Sequence, residues 1–370
     1  MIPLDRISCY LVELPLVRPF ETSFGREQVR RALLVRVSGG GEEGWGECVA
    51  SSGPWYSYET VDTALLVIRD FLVPLLSRAR PSHPNQVRRA FAPVRGHPMA
   101  KAALEAAVWD LYCRLTGVPL AAELGGVRDE VPAGVSVGIQ PDLDSLLARV
   151  EEFVAQGYRR VKLKIKPGWD LEVVAEVRER FPDLPLWVDA NCAYRLEELA
   201  VLAELDRMGL GLIEQPLWHE DLVGHARLAS RLSTPICLDE SITSPQRAWE
   251  ALEIGACRVI NLKQGRVGGI QAALEIQELA SSRGVPLWCG GMLETGIGRA
   301  LNLALASLPG FQLPHDISAT DRYFREDIAE PAFELSPRGT IPLPRGPGLG
   351  VEVLPERLRR YQVAHWEFSI

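Results

Sequence analysis

The chain of 370 residues contains very little lysine. Of its 40 basic side chains only five are lysine, and arginine fills the other positions. Arginine stays protonated in proteins, whereas a lysine whose pKa is lowered can give up its proton. A lysine kept in such a sequence is therefore a candidate for proton transfer, unless an arginine bias spared it by chance. The five are Lys101, Lys162, Lys164, Lys166 and Lys263.

Three further absences limit the class of protein. No apolar run approaches the roughly 18 to 20 residues that cross a bilayer, and no secretory signal is expected at the N-terminus. The net charge of −8 argues against nucleic acid and anionic membranes as partners. The seven cysteines form no C-x-x-C pair, which is typical of reduced thiols. We expect a cytoplasmic protein that acts on small molecules.

Charged side chains recur at a regular interval in the middle of the chain. Short apolar segments end at Lys164, Asp189, Glu214, Asp239 and Lys263, with successive spacings of 25, 25, 25 and 24 residues. This interval is the length of one strand, one loop and one helix. Repeated βα units with reactive groups at the strand ends are typical of a (β/α) barrel, in which those ends form the active site.

The pattern around this repeat predicts two domains. Residues 1–126 indicate an α+β module, with a strand over 4–16, a hairpin turning at 39–41, helices over 59–79 and 99–116, and polar, aromatic loops at 18–25 and 52–58. Residues 127–320 indicate a parallel α/β barrel, and the proline-rich segment 321–370 is expected to complete the first module. We expect eight barrel strands near residues 133–138, 161–166, 186–190, 211–215, 236–239, 258–263, 287–291 and 311–316.

Three carboxylates on neighbouring barrel strands predict a metal site. Asp189, Glu214 and Asp239 would meet at one rim of the barrel, where their negative charges repel unless a cation lies between them. A lone carboxylate is more often part of a surface salt bridge, but three in register argue against that. Oxygen ligands favour Mg²⁺ or Mn²⁺ over Zn²⁺. The six histidines show no ligand spacing and are expected to be surface or packing residues.

The lysines suggest the chemistry at that rim. Lys162 and Lys164 point to the same inward face of one strand, and their repulsion is expected to lower the pKa of one of them. Lys263, four strands further on, would face them across the barrel. Two acid/base groups beside a metal-bound carboxylate suit abstraction of the proton next to that carboxylate, with the metal stabilising the enediolate.

The same residues resemble the enolase superfamily, which uses lysine bases with Mg²⁺. The K-x-K motif ending at Lys164, the three carboxylates and Lys263 are similar to its muconate-lactonising subgroup. Within it, four runs resemble o-succinylbenzoate synthases that also racemise N-acylamino acids: 164–170, 213–217, 237–241 and 288–296. The resemblance implies a capping domain on a (β/α)₇β barrel, bound Mg²⁺ (or Mn²⁺), and Lys164 with Lys263 as the acid/base pair. His315 departs from it, since glycine is expected there.

The resemblance implies two activities that share a first step. One dehydrates 2-succinyl-6-hydroxy-2,4-cyclohexadiene-1-carboxylate to o-succinylbenzoate in menaquinone synthesis, and the other racemises N-succinyl or other N-acyl amino acids. A dipeptide epimerase is an alternative, although its D-x-D motif on strand 8 is absent. A Schiff-base aldolase would leave the three carboxylates unexplained, and a non-catalytic binding barrel would make the distribution of the lysines an accident. The protein is also expected to form a homo-oligomer.

Further residues are expected to contact the substrate or support the metal ligands. The backbone N–H groups of Gly290 and Gly291 could bind a substrate carboxylate, or the two glycines could form a plain tight turn. The aromatic loops could form a substrate lid or only pack the cap. The residues expected to contact the substrate or to support the metal ligands are Asn191, Glu240, Gly291, Met292, Phe24 and Trp55.

Overall fold

A four-stranded antiparallel sheet contains the first strands of the chain, in a computed structural model that describes residues 1–370. Its strands β1 (Arg6–Thr22), β2 (Gly25–Gly39) and β3 (Glu42–Cys48) pair in sequence order. The predicted glycine turn is confirmed, since Gly40 and Gly41 take φ values of 63° and 86°. The predicted loop at 18–25 is wrong, because β1 and β2 stay paired as far as Thr22 and Gly25.

Five helices follow this sheet, and the longest packs on β3. The helices are α1 (Val61–Val67), α2 (Val73–Ala79), α3 (Val87–Ala90), α4 (Pro98–Thr116) and α5 (Leu120–Glu123), with a π-helical turn, Ile68–Leu72, joining α1 to α2. As predicted, α4 ends at Thr116, and the following Gly117 adopts a left-handed conformation. Glycine is required at Gly44, because a Cβ there would lie 2.2 Å from the Ala107 carbonyl oxygen of α4.

A curled parallel sheet of seven strands forms the second part. After β4 (Glu130–Pro132), its strands are β5 (Gly134–Val137), β6 (Arg160–Lys164), β7 (Leu186–Asp189), β8 (Ile213–Glu214), β9 (Ile236–Leu238), β10 (Val259–Leu262) and β11 (Leu287–Cys289). Its helices are α6 (Leu143–Gln156), α7 (Leu171–Arg180), α8 (Leu199–Leu205), α9 (Leu222–Ala229), α10 (Pro245–Glu253), α11 (Gln264–Val267), α12 (Ile270–Ser282) and α13 (Gly296–Ala306). The α/β class and the first seven strands are confirmed.

The predicted eighth strand is replaced by isolated bridges. Phe311 bridges Leu287 of β11, and His315 bridges Ala133 beside β5. The Asp316 N–H donates to the Cys289 carbonyl over 2.9 Å. A regular strand does not form because Pro314, between the two bridges, has no N–H to donate. The segment nevertheless joins the last strand to the first and closes the ring.

The end of the chain adds a strand to the first sheet and forms two small two-stranded sheets. Its elements are β12 (Ala329–Glu330), β13 (Thr340–Pro342), β14 (Glu352–Val353), α14 (Pro355–Tyr361) and β15 (Gln362–Ser369). Strand β13 pairs with β4, and β15 pairs antiparallel with β1 as an edge of the first sheet. None of the helices combines the length and the apolar character that crossing a bilayer requires.

Candidate active site

Strand register brings the predicted charged residues to one level of the ring. Lys164 of β6 lies beside Asp189 of β7, which in turn lies beside Glu214 of β8. Asp239 directly follows β9, and Lys263 directly follows β10. All five side chains are buried. Their alignment follows from parallel strands of similar length, whose carboxyl ends meet at one rim.

Each of three lysines forms an ion pair with one of the carboxylates. Lys164 Nζ lies 2.6 Å from Asp189 Oδ2, and Lys263 Nζ lies 2.8 Å from Asp239 Oδ2. Lys162 Nζ lies 2.6 Å from Glu214 Oε2 and 3.1 Å from Asp189 Oδ2. Lys162 and Lys164 therefore both point into the ring, as predicted, and the carboxylates that they contact neutralise their charges.

These anions change the electrostatics that we expected for the lysines. Burial alone would lower the pKa of Lys162, but Asp316, Glu214 and Asp189 outweigh it and raise the pKa above its ordinary value. The expected repulsion between neighbouring lysines therefore does not lower the pKa of Lys162. Burial also acts to lower the pKa of Lys263. Nearby negative groups outweigh burial and raise this pKa above its ordinary value.

The donor set fits a hard divalent cation by its chemistry. Asp189, Glu214 and Asp239 offer only oxygen atoms, and Glu240 beside them has a buried Oε2 without a hydrogen-bond partner. Burial, and then the charge of Asp189, raise the pKa of Glu240 to about 7. Such crowding of carboxylates is what a cation relieves. With the lysines in their present positions, no three carboxylates surround one point closely enough to hold an ion.

The predicted supporting residues Asn191 and Glu240 link the lysine to this crowded region. Asn191 Oδ1 accepts from Lys164 Nζ over 2.7 Å, and its Nδ2 donates to Glu240 Oε1 over 2.8 Å. Asn191 adopts a positive φ of 45°, a conformation that asparagine tolerates better than most residues. Its side chain therefore fixes the position of the Lys164 ammonium relative to Glu240.

A cavity of about 310 Å³ opens over these groups, between the first sheet and the ring. Phe24 reaches it from the tip of the β1–β2 hairpin, and Trp55 reaches it from the loop at 52–58, with 68% of Trp55 exposed. A Cβ at Gly291 would lie 2.6 Å from the Asp316 carbonyl oxygen, so that only glycine fits there. Of the residues predicted for substrate contact, those that line the cavity are Asn191, Gly291, Met292, Phe24 and Trp55.

Three residues contact the predicted charged groups of the site, although these contacts were not predicted. The Tyr56 hydroxyl donates to Asp239 Oδ1 over 2.9 Å, and the Lys263 ammonium lies 4.6 Å from the centre of the Tyr56 ring. Arg266 also donates to Asp239 and is 2% exposed. Asp316 lines the cavity and contacts Lys162. In the sequence, Tyr56 could have been found from its place next to Trp55, and Arg266 from its closeness to Lys263. Asp316 could have been found from its place at the end of the closing segment.

Comparison with known proteins assigns the chain to a family. Residues 6–125 match the mandelate racemase / muconate lactonizing enzyme N-terminal domain, and residues 145–357 match the enolase C-terminal domain-like family. The chain is 52% identical to the o-succinylbenzoate synthase of Geobacillus kaustophilus, over 95% of this chain and 93% of the relative. It is 53% identical to an N-succinylamino acid racemase from Amycolatopsis, over 94% of each.

The three-dimensional comparison agrees with the sequence comparison. A crystal structure of an enolase superfamily member from Listeria innocua superposes with a TM-score of 0.96 and 41% identity, over 100% of both chains. The superposition includes the cap as well as the ring of strands that carries the charged residues. The chain therefore belongs to the enolase superfamily, with the N-terminal and C-terminal domains of its mandelate racemase / muconate lactonizing enzyme group.

Proposed function

We propose that the protein removes the proton next to the carboxylate of a small substrate, as an o-succinylbenzoate synthase and an N-succinylamino acid racemase. The observation that carries this proposal is the placement of Lys164 and Lys263. They follow the second and sixth strands of the ring, and both line the same cavity. Relatives with either name match the chain about equally well, which supports both activities.

Asp189, Glu214 and Asp239 would hold a Mg²⁺ (or Mn²⁺) ion, with Glu240 beside them. The three ligands come from consecutive strands and supply only oxygen, as these ions prefer. When bound, the ion supplies positive charge that stabilises the substrate carboxylate as its α-carbon loses a proton. With these carboxylates engaged in metal binding, Lys164 and Lys263 would be available to the substrate.

Each of the two lysines transfers a proton at a different face of the substrate. In racemisation, Lys164 removes the α-proton from one face of the substrate, and Lys263 delivers a proton to the other. In dehydration one lysine suffices as the base, and we assign that role to Lys164 by analogy with the family. Lys263 then stabilises the anionic intermediate by its charge, and Lys162 adds a second fixed positive charge below the cavity.

The two domains would have different roles in this function. The barrel, residues 127–320, would hold the chemistry, and the cap, residues 1–126 completed by 321–370, would select the substrate through Phe24 and Trp55. Gly291 and Met292 would contact the substrate from the barrel side. A role in menaquinone synthesis, a cytoplasmic location and a homo-oligomeric state remain predictions.

The proposal is tested with purified protein and both substrates. Formation of o-succinylbenzoate and racemisation of an N-succinyl amino acid should both stop with EDTA and return with Mg²⁺ or Mn²⁺. Full activity in a metal-stripped sample would contradict the proposal. Activity that survives EDTA but is lost on borohydride trapping of a lysine would instead identify a Schiff-base enzyme.

A further inference from the structure

A buried arginine lies beneath the catalytic lysines on the same strand. Arg160, Lys162 and Lys164 alternate along β6 and all point into the ring. The Arg160 side chain has no exposed surface, and its guanidinium carbon lies 4.2 Å from the centre of the Trp187 ring and 5.3 Å from that of Trp288. Aromatic faces stabilise a guanidinium that has been removed from water.

The backbone around Arg160 is adapted to its presence. A Cβ at Gly134 would lie 2.4 Å from the guanidinium carbon, so that any larger residue would displace the arginine. Arg160 Nη2 donates to the Pro314 carbonyl over 2.9 Å, and Nη1 donates to Asp316 Oδ1 over 2.6 Å. Arg160 is thereby attached to the segment that closes the ring, and it fixes the carboxylate of Asp316.

Asp316 passes this constraint to Lys162. Its second oxygen, Oδ2, lies 2.9 Å from Lys162 Nζ, and only 10% of the Asp316 side chain is exposed. Lys162 has two other anionic partners, Glu214 and Asp189. Both of these are proposed metal ligands, whereas Asp316 is not. A divalent cation held by Asp189 and Glu214 would repel the Lys162 ammonium and use the oxygen atoms to which it now donates.

We propose that Asp316, oriented by Arg160, is a positioning residue that keeps Lys162 in the site while Asp189 and Glu214 serve the metal ion. This inference rests on the proposed function. Without Asp316, Lys162 would depend on Glu214 and Asp189 alone, and would compete directly with the cation for them. Asp316 therefore assists metal binding through the lysine, although it touches no metal ligand itself.

The test measures Mg²⁺ binding by calorimetry without substrate, so that activity is not the readout. Asp316→Asn should raise the Mg²⁺ dissociation constant by about 10- to 100-fold, the range typical of residues that orient a metal site. In a Lys162→Met background, the same replacement should have no further effect, because the competitor is gone. A direct Asp316–substrate contact would leave Mg²⁺ binding unchanged, and long-range charge alone would act equally in both backgrounds.

Glu21→Gln is the matched control. Glu21 pairs with Lys166 over 3.6 Å, and both side chains are more than a third exposed. Removing that charge should change the dissociation constant by less than about threefold, as expected for an exposed pair. If Asp316→Asn does not fold, Asp316→Glu, which keeps the charge but displaces it, should weaken Mg²⁺ binding only when Lys162 is present.

The outcomes separate this inference from the proposed function. Equal effects of Asp316→Asn with and without Lys162, or no effect in either background, would overturn the positioning role while the wild-type protein still binds Mg²⁺ and turns over its substrates. A wild-type protein that neither binds Mg²⁺ nor acts on either substrate would overturn the proposed function and this inference with it. Weaker binding only in the presence of Lys162 supports the positioning role.

Discussion

Asp239 is the most heavily shared carboxylate of the site. It accepts hydrogen bonds from Lys263, Tyr56 and Arg266, which join both sides of the cavity to one ligand. Asp239→Asn removes the charge that a divalent cation needs, and turnover of both substrates should fall by on the order of 10²- to 10³-fold. The measurement is kcat with saturating Mg²⁺, with circular dichroism to establish that the fold is kept.

Asp206→Asn is the control for this replacement. Asp206 accepts from the backbone N–H groups of Ser233 and Thr234, near the opposite end of the strands. Its loss should leave kcat unchanged even if it lowers the melting temperature. Equal losses of kcat in the two variants would show that Asp239 supports the fold rather than the reaction.

Regular spacing in the sequence was sufficient to predict some residues of the site but not others. Asp189, Glu214 and Asp239 were predictable because each ends a strand of the same repeat. Arg160 was not, because the predicted strand began at residue 161 and left Arg160 in the preceding loop, whereas the strand begins at Arg160. Asp316 was not assigned a role either, since its contact with Lys162 exists only once the ring closes.

Two elements of the cap line the cavity. The β1–β2 hairpin presents Phe24, and the loop at 52–58 presents Trp55 and Tyr56. Phe24→Ala and Trp55→Ala should change the ratio of kcat/KM between N-acyl amino acids with large and small side chains, because in the proposed function these rings would contact the variable part of the substrate. Loops on a rigid scaffold are where such selectivity resides.

Tyr58→Ala provides a comparison within the same loop. Tyr58 is 59% exposed and packs edge-on against His97, outside the cavity lining. It should leave the substrate ratios unchanged. If Phe24→Ala and Trp55→Ala lower kcat/KM by one common factor for every substrate, the two elements serve closure or folding rather than selection.

The elements themselves were predictable where the pattern is local. Seven strands followed from continuous apolar runs, and α4 followed from its apolar face and the glycine that ends it. The hairpin tip was missed because its polar and aromatic residues indicate a loop, whereas pairs such as Glu21 with Arg26 continue the ladder. The eighth strand was overestimated because the effect of Pro314 on pairing was not considered.

Across the whole molecule, buried carboxylates join the cap to the barrel. Glu47 of β3 accepts from the Thr295 and Gly298 N–H groups at the start of α13. Glu105 of α4 accepts from the Gln271 N–H in the first turn of α12. Burial raises the pKa of Glu47 to about 7 and that of Glu105 to about 8. We therefore expect the contact between the two parts to depend on pH near neutrality.

The direction of this pH dependence follows from proton binding. The folded protein keeps the Glu105 proton up to about pH 8, whereas the unfolded chain loses it near pH 4.5. Between these values the folded state binds more protons, so the free energy of unfolding falls as pH rises, by up to about 1.4 kcal/mol per pH unit. Glu105→Gln cannot ionise and should flatten this fall.

Urea unfolding at pH 5, 6, 7 and 8 measures this effect. Glu278→Gln, an exposed position on α12, should keep the slope of the wild-type protein. A Glu105→Gln variant whose stability falls with pH as steeply as that of the wild-type protein would show that this carboxyl group is not the one that titrates. The contact between cap and barrel would then depend on other groups.

In the proposed function, the closed ring holds Lys164 and Lys263 on opposite faces of one substrate. The direct measurement is α-deuterium incorporation in D₂O for each enantiomer of an N-succinyl amino acid, with Lys164→Ala and Lys263→Ala. Both variants should lose racemisation, yet each should still exchange the α-proton of one enantiomer, with opposite preferences, because one lysine remains on one face. Equal exchange of both enantiomers by either variant would show that the two lysines do not lie on opposite faces of the substrate.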